Sequence, residues 1–335
     1  MERQLDSFST KNENTFSGRI IASLSMGFVF CYYSEYMFWA SFTHYNTEVF
    51  LQEITAAWLV YSSMTYVVLW LSSHYSVSDF YGWFFVGAIY GWLCEGAVVQ
   101  TMYMVFPLYV SWTGLAWHSL ISIILGGAFF RQAIHSGQTK RILKMVAFFG
   151  IFFGCWAPTW WSERGEIIPF EDFFLFIIFF SIPTLFGYII YERYAPTEFV
   201  PSKPEKILII GFFAFLFIFG TIPLVGLLAL IWPILIGLTL FLLKKYKEGQ
   251  PAGQIANPSP LGKFEWRYLW FLGVPFLAIF VFFWFFAATI IIQTSILYLV
   301  ILMPAGFFFY GKGGYEIMKK ARGMTSSTFV NAPSK

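Results

Sequence analysis

The chain reads as an all-α polytopic integral membrane protein with about ten transmembrane helices and both termini cytoplasmic. Three observations support this. Of its 335 residues, 58% are hydrophobic and only 12% charged, with a mean hydropathy of +0.66, so lipid is the solvent most of the surface calls for. Apolar runs of about 20 residues, the length that crosses a hydrocarbon core of roughly 30 Å, recur along the whole sequence. The segmentation they impose puts 20 of the 21 Lys and Arg on one side and leaves Arg164 alone on the other, as expected where cytoplasmic loops retain positive charge.

The spans are expected at about 20–41, 54–73, 80–99, 108–130, 142–160, 170–191, 207–222, 224–243, 268–288 and 290–310. Residues 1–19 form a cytoplasmic N-terminal segment with Arg3, Lys11 and Arg19, and no small-residue cleavage site follows the first apolar run. Arg131, Lys140, Arg141 and Lys144 mark the inner side after the fourth span, and Arg193, Lys203 and Lys206 after the sixth. The eight spans of 20–243 form a membrane body. Residues 244–267 combine Lys, Gly and Pro into a flexible cytoplasmic linker, 268–310 form a terminal helix pair, and 311–335 a polar cytoplasmic tail, unpatterned from Met324 on. Pro223 and Gly226 leave only a tight turn between spans seven and eight, and spans nine and ten have almost no connector. An eight-span chain with a re-entrant or terminal hairpin is therefore the alternative count.

The external loops carry Glu48, Glu53, Glu163, Glu166, Glu171 and Asp172 against Arg164, which reads as a solvated acidic surface. Trp156, Trp160, Trp161, Trp266 and Trp270 read as interfacial belt residues. Cys31, Cys94 and Cys155 lack CxxC spacing and read as small hydrophobes. The net charge of +3 is segregated by leaflet, so nucleic-acid binding is not expected. With four His, only His118 well inside a span, a bis-His haem is not expected. Phosphate-binding loops, GxSxG elbows and HExxH are absent from the sequence. GKGGYE at 311–316 follows a membrane helix and not a strand, which argues against a nucleotide loop.

The chemistry is concentrated in the first four spans. Glu35, Glu95 and His118 lie there, whereas spans seven to ten hold no ionisable core residue. An ionisable group at mid-membrane costs roughly 2.5–3.5 kcal/mol, so it faces a protein interior or aqueous cavity. Gly27, Cys31 and Glu35 recur every four residues, as do Gly87, Gly91 and Glu95, which puts each carboxylate on a small-residue stripe. Both helices run outward and place their Glu about 22 Å from the cytoplasmic face. Ser111, Gly114, His118, Ser122 and Gly126 define a polar face on the fourth span, with His118 offset axially from Glu95 by about 7 Å, a gap for two long side chains or one water.

Glu35, Glu95 and His118 are thus the candidate catalytic residues, with Trp92, Ser111, Trp112 and Trp117 as candidate substrate-binding residues around a hydrophobic ligand's tail. The function expected is binding or modification of a lipid or isoprenoid-like molecule, with proton exchange between paired carboxyls and imidazole. No cofactor and no metal are expected, since one His with two carboxylates is a common inventory. The plainer role for each residue is an interhelical hydrogen bond of about 0.6 kcal/mol. The alternatives are a secondary transporter of five-plus-five helices, although no internal repeat is evident by eye, and a non-catalytic subunit of a membrane assembly, respiratory for example, with spans seven to ten as the partner surface. The plasma membrane of a prokaryote is the expected location.

Overall fold

The computed structural model describes residues 13–250, 260–288 and 293–330. Arg3, Lys11, the middle of the expected linker and the last five residues lie outside them. Among the described residues the chain is helical with no strand, and seven helices are long and apolar enough to cross a membrane. These are α2 (Phe50–His74), α4 (Tyr109–His135), α5 (Thr139–Ser162), α6 (Phe170–Tyr194), the run Lys203–Glu248, α9 (Trp266–Ala287) and Thr294–Gly323.

Two further helices are interrupted. Helix α1 (Phe16–Cys31) starts where the Thr15 hydroxyl accepts from Gly18 N at 3.1 Å, then passes into a π-helical turn, Tyr32–Tyr36. Helix α3 (Phe80–Trp92) starts at Asp79, whose carboxylate accepts from Gly82 N at 3.0 Å, and passes into a π-helical segment, Leu93–Val98. In both, the π turn holds the glutamate. The Lys203–Glu248 run also divides. Its first arm, α7 (Lys203–Phe215), begins with a Ser202/Glu205 capping box and Pro204 in the first turn. The run is broken at Gly226, whose φ of +66° is a conformation L side chains rarely adopt, and resumes as α8 (Ile231–Glu248). The last helix, α10 (Met303–Val330), runs well past residue 310 and is helical through most of the expected unpatterned tail. Between Gly306 and Val330 no proline stops it.

The chain forms two compact units: Met1–Tyr66, Leu125–Pro201 and Pro258–Leu297 in one, Val67–Ile124, Ser202–Asn257 and Tyr298–Lys335 in the other. In the first, α5 packs on α9 and α1 on α6 through small residues. A Cβ at Gly154 would lie 2.7 Å from the Ala278 carbonyl, and one at Gly187 2.7 Å from the Ser25 carbonyl. In the second, α8 packs on α3 and α10, tied by Trp232 Nε1 donating to the Trp92 carbonyl at 2.7 Å and by Thr239 and Tyr310 hydroxyls 2.8 Å apart.

Several loop expectations change. Trp156, Trp160 and Trp161 are 2%, 5% and 6% exposed, so they face protein and not lipid headgroups. Trp156 donates to the Phe38 carbonyl at 3.0 Å, Trp161 to the Trp39 carbonyl at 2.6 Å, and Arg164 lies over the Trp160 ring. Trp266 and Trp270 are exposed. Of the external acids, Glu48, Glu53, Glu166 and Glu171 are exposed, as a solvated surface requires, whereas Asp172 accepts from Ser41 and from Phe42 N, and Glu163 from the Thr294 and Ser295 hydroxyls and Ser295 N. In the expected flexible linker, Leu261 N and Gly262 N are bonded to Glu192, which fixes that end.

Candidate functional site

Glu95 and His118 meet directly: Nε2 and Oε1 are 2.7 Å apart, with Glu95 5% and His118 3% exposed. Of the two ways to close the expected 7 Å offset, two long side chains or one water, the side chains meet directly. Leu93–Val98 and Trp112–Phe129 are both π-helical, and the wider winding places Gly114 and His118 together toward α3. The close approach is sequence-encoded. A Cβ on Gly91 would collide with the Gly114 carbonyl, and one on Gly87 would sit 2.6 Å from Ser119 Oγ. Ser119 donates to the Phe84 carbonyl at 2.7 Å, locking the register one residue past the imidazole. Tyr90 packs edge-on to His118, ring centroids 5.6 Å apart.

Cys94 changes the chemistry of the site. Read from sequence as a small hydrophobe, it has its sulfur, one Glu95 oxygen and one His118 nitrogen all within 4.8 Å of one another, and all three residues are buried. The π turn allows neighbours 94 and 95 to address the same point.

The expected ligand-contacting residues are occupied with packing. Trp92 is fully buried and donates to the Val110 carbonyl at 3.0 Å, and Ser111 donates to the Met303 carbonyl at 2.7 Å. Trp112 stacks on Tyr298 at 4.5 Å and packs edge-on to Trp117, which is 1% exposed.

Glu35 belongs to the other unit and has its own partners there: Trp39 Nε1 donates to Oε1 at 3.0 Å and Tyr61 OH to Oε2 at 3.1 Å. Its surroundings reproduce those of Glu95. With the two glutamates aligned, Leu24 pairs with Phe84, Gly27 with Gly87, Ser34 with Cys94 and Ala40 with Gln100. The carbonyls of Leu24 and Phe84 each accept from the following helix, from Trp58 at 2.8 Å and from Ser119. Gly27 abuts Ser62 as Gly87 abuts Ser119, and these serines each follow the partner of the glutamate, Tyr61 in one hairpin and His118 in the other. Ala40 and Gln100 both have positive φ, 52° and 57°, and each precedes a short 3-10 turn. The two helix hairpins thus share a set of local features that the sequence did not show by eye. Over 16–44 and 76–104 only the glycine and the glutamate are identical.

A second charged cluster was missed from sequence. Arg131, expected on the inner side among loop cations, is 3% exposed. Its Nε donates to Glu192 Oε1 at 2.6 Å, with Tyr268 OH at 2.7 Å and His135 Nε2 at 3.1 Å on the same oxygen. Arg131 also lies 4.4 Å over the Tyr191 ring. The available signal was an acid at the basic end of α6, in YERY. With every partner supplied by a helix end or a connector, this cluster fastens α4, α6 and α9.

Outside the spans, His44 stacks on Trp39 with ring centroids 3.6 Å apart and 8° between planes. Burial holds its pKa below the ordinary 6.5, opposed by nearby Glu53.

No family model, curated protein or solved structure matches this chain.

Proposed function

We propose that this multi-pass membrane protein uses Glu95 and His118 as an intramembrane acid–base centre acting on a hydrophobic, lipid or isoprenoid-like ligand. The observation that carries this reading is the direct carboxylate–imidazole contact inside apolar helices. A lone interhelical hydrogen bond needs neither ionisable partner, whereas a proton shared between these two can be handed to or taken from a ligand. The first unit separately carries an apolar groove of about 600 Å³, bounded by Ile21, Phe28, Trp58, Pro183, Phe186 and Ile190. Ten crossings with cytoplasmic termini follow when the two π-interrupted helices are counted as spans and the Lys203–Glu248 run as two arms turning at Gly226.

The test is mass spectrometry of what co-purifies with the protein in native membrane lipid, for wild type, Glu95→Gln and His118→Gln. A hydrophobic species enriched over bulk lipid in wild type and chemically altered or lost in both variants is expected. Bulk lipid alone in all three would contradict the reading.

A further inference from the structure

We infer that Cys94, Glu95 and His118 form a binding site for one soft divalent transition ion, zinc or a close analogue, inside the membrane domain. This rests on the proposed function and deepens it: with Glu95 and His118 holding the ion, a water on its open position would supply the acid–base chemistry in place of a proton shared between the two side chains. The donor set itself is the first argument. A thiolate, an imidazole nitrogen and a carboxylate oxygen are the ligand types that zinc selects, at about 2.3 Å for sulfur and about 2.0–2.2 Å for nitrogen and oxygen. All three donor atoms lie within 4.8 Å of one another. A tetrahedral ion holds its nitrogen and oxygen ligands about 3.3 Å apart. Glu95 and His118, now 2.7 Å apart, therefore need to open by only about 0.6 Å, a side-chain movement. Three protein ligands leave the fourth position for water or for a ligand atom, the arrangement of catalytic and not structural zinc.

The likeness of the two hairpins supplies the second argument, because the first shows what a similar scaffold looks like without the ion's ligands. At the first copy, Ser34 stands where Cys94 stands in the second, and Tyr61 where His118 stands. Glu35 is there satisfied by Tyr61 and Trp39, oxygen and nitrogen donors that hold a carboxylate through hydrogen bonds alone. Between the copies the glutamate is constant, whereas a thiol at the position before it and an imidazole on the following helix are found only in the second; the first has its buried thiol a turn earlier, at Cys31, with no imidazole on its glutamate. The equivalent backbone contacts, Gly27 on Ser62 and Gly87 on Ser119, show that packing does not require the change. A thiol and an imidazole brought side by side on a carboxylate are best explained by a metal ion.

The experiment uses the full-length protein in lipid nanodiscs. Metal content per chain is measured by inductively coupled plasma mass spectrometry after purification without chelator. The protein is then stripped with a chelator and titrated with Co²⁺ while the thiolate-to-cobalt charge-transfer absorption is followed, with Zn²⁺ as competitor. One saturable site per chain is expected, with a charge-transfer band that Zn²⁺ abolishes. Cys94→Ser should lose the band, and Glu95→Gln and His118→Ala should weaken binding by more than about tenfold. Should Cys94→Ser fail to fold, the protein carrying Cys31→Ser and Cys155→Ser, whose one thiol is Cys94, must keep the band. Absence of saturable Co²⁺ binding by wild type, or a band that survives Cys94→Ser, would overturn the site. Ligand enrichment without metal would remove this inference and leave the acid–base centre standing, whereas metal without ligand enrichment would do the reverse.

Discussion

Removing the Glu192 carboxylate should be among the most damaging single changes outside the candidate site. Glu192 accepts from Arg131 at 2.6 Å, Tyr268 at 2.7 Å, His135 at 3.1 Å and Leu261 N at 2.8 Å. Arg131 is 3% exposed, so Glu192→Ala leaves a guanidinium with neither water nor counter-ion. Breaking a buried ion pair from one side costs about 3–5 kcal/mol, since the orphaned charge keeps its desolvation penalty. For a chain of 335 residues that corresponds to a fall of about 4–7 °C in midpoint. The assay is thermal unfolding in nanodiscs, followed by intrinsic tryptophan fluorescence. The double variant Arg131→Met/Glu192→Leu discriminates the cause, because it removes both charges and should recover more than half of the loss. A Glu192→Ala midpoint within about 2 °C of wild type, or a double variant worse than the sum of its singles, would refute the reasoning.

Glycine packing gives a paired test. Gly87→Ala should destabilise by about 1–3 kcal/mol and separate Glu95 from His118, because the new methyl meets Ser119. Gly237→Ala, with nothing within 4 Å, should stay within about 0.5 kcal/mol of wild type or gain slightly, read by the same melts. His44 predicts a pH effect: its folded pKa lies below its unfolded value, so the loop's stability is present above about pH 6.5 and is lost as pH falls through the folded pKa. Trp39 fluorescence should change over that acidic window in wild type and stay flat in His44→Phe, which keeps a ring on Trp39. For topology, cysteines at the exposed positions 138 and 166, in a background without native thiols, should react with membrane-impermeant maleimide from opposite sides of sealed vesicles, 166 from outside. Labelling of both from one side would overturn the ten-span orientation.

Much of the fold was legible because hydrophobic length is a one-dimensional signal. The apolar runs match the long helices, and the break at Gly226 lies where Pro223 and Gly226 suggested a turn. The small-residue stripes correctly marked where helices touch, at Gly87 against Ser119 and at Gly114 against Trp92. Residues whose roles depend on a partner from far away in sequence were not legible. Arg131 reads as a loop cation until Glu192 and Tyr268 arrive from elsewhere, and Trp156 reads as a belt residue until the Phe38 carbonyl accepts its N–H. The π turns were invisible for another reason: a 3.6-residue period does not describe Leu93–Val98, the segment that carries Cys94 and Glu95. The likeness of the two hairpins was hidden because its identities reduce to a glycine and a glutamate per helix; the carbonyl acceptors Leu24 and Phe84, the Gly27–Ser62 and Gly87–Ser119 contacts and the positive φ of Ala40 and Gln100 reveal it.

The central claim is the meeting of Glu95 and His118 inside the membrane, and solid-state ¹⁵N NMR of histidine-labelled protein in bilayers tests it most directly. With four His in the chain, the His118 resonance is assigned by its loss in His118→Gln. A strongly hydrogen-bonded imidazole signal that moves in Glu95→Gln and is untouched by Glu35→Gln is the predicted result. A His118 signal indifferent to Glu95→Gln would contradict the account, because a carboxylate 2.7 Å from the ring nitrogen cannot be removed without changing it.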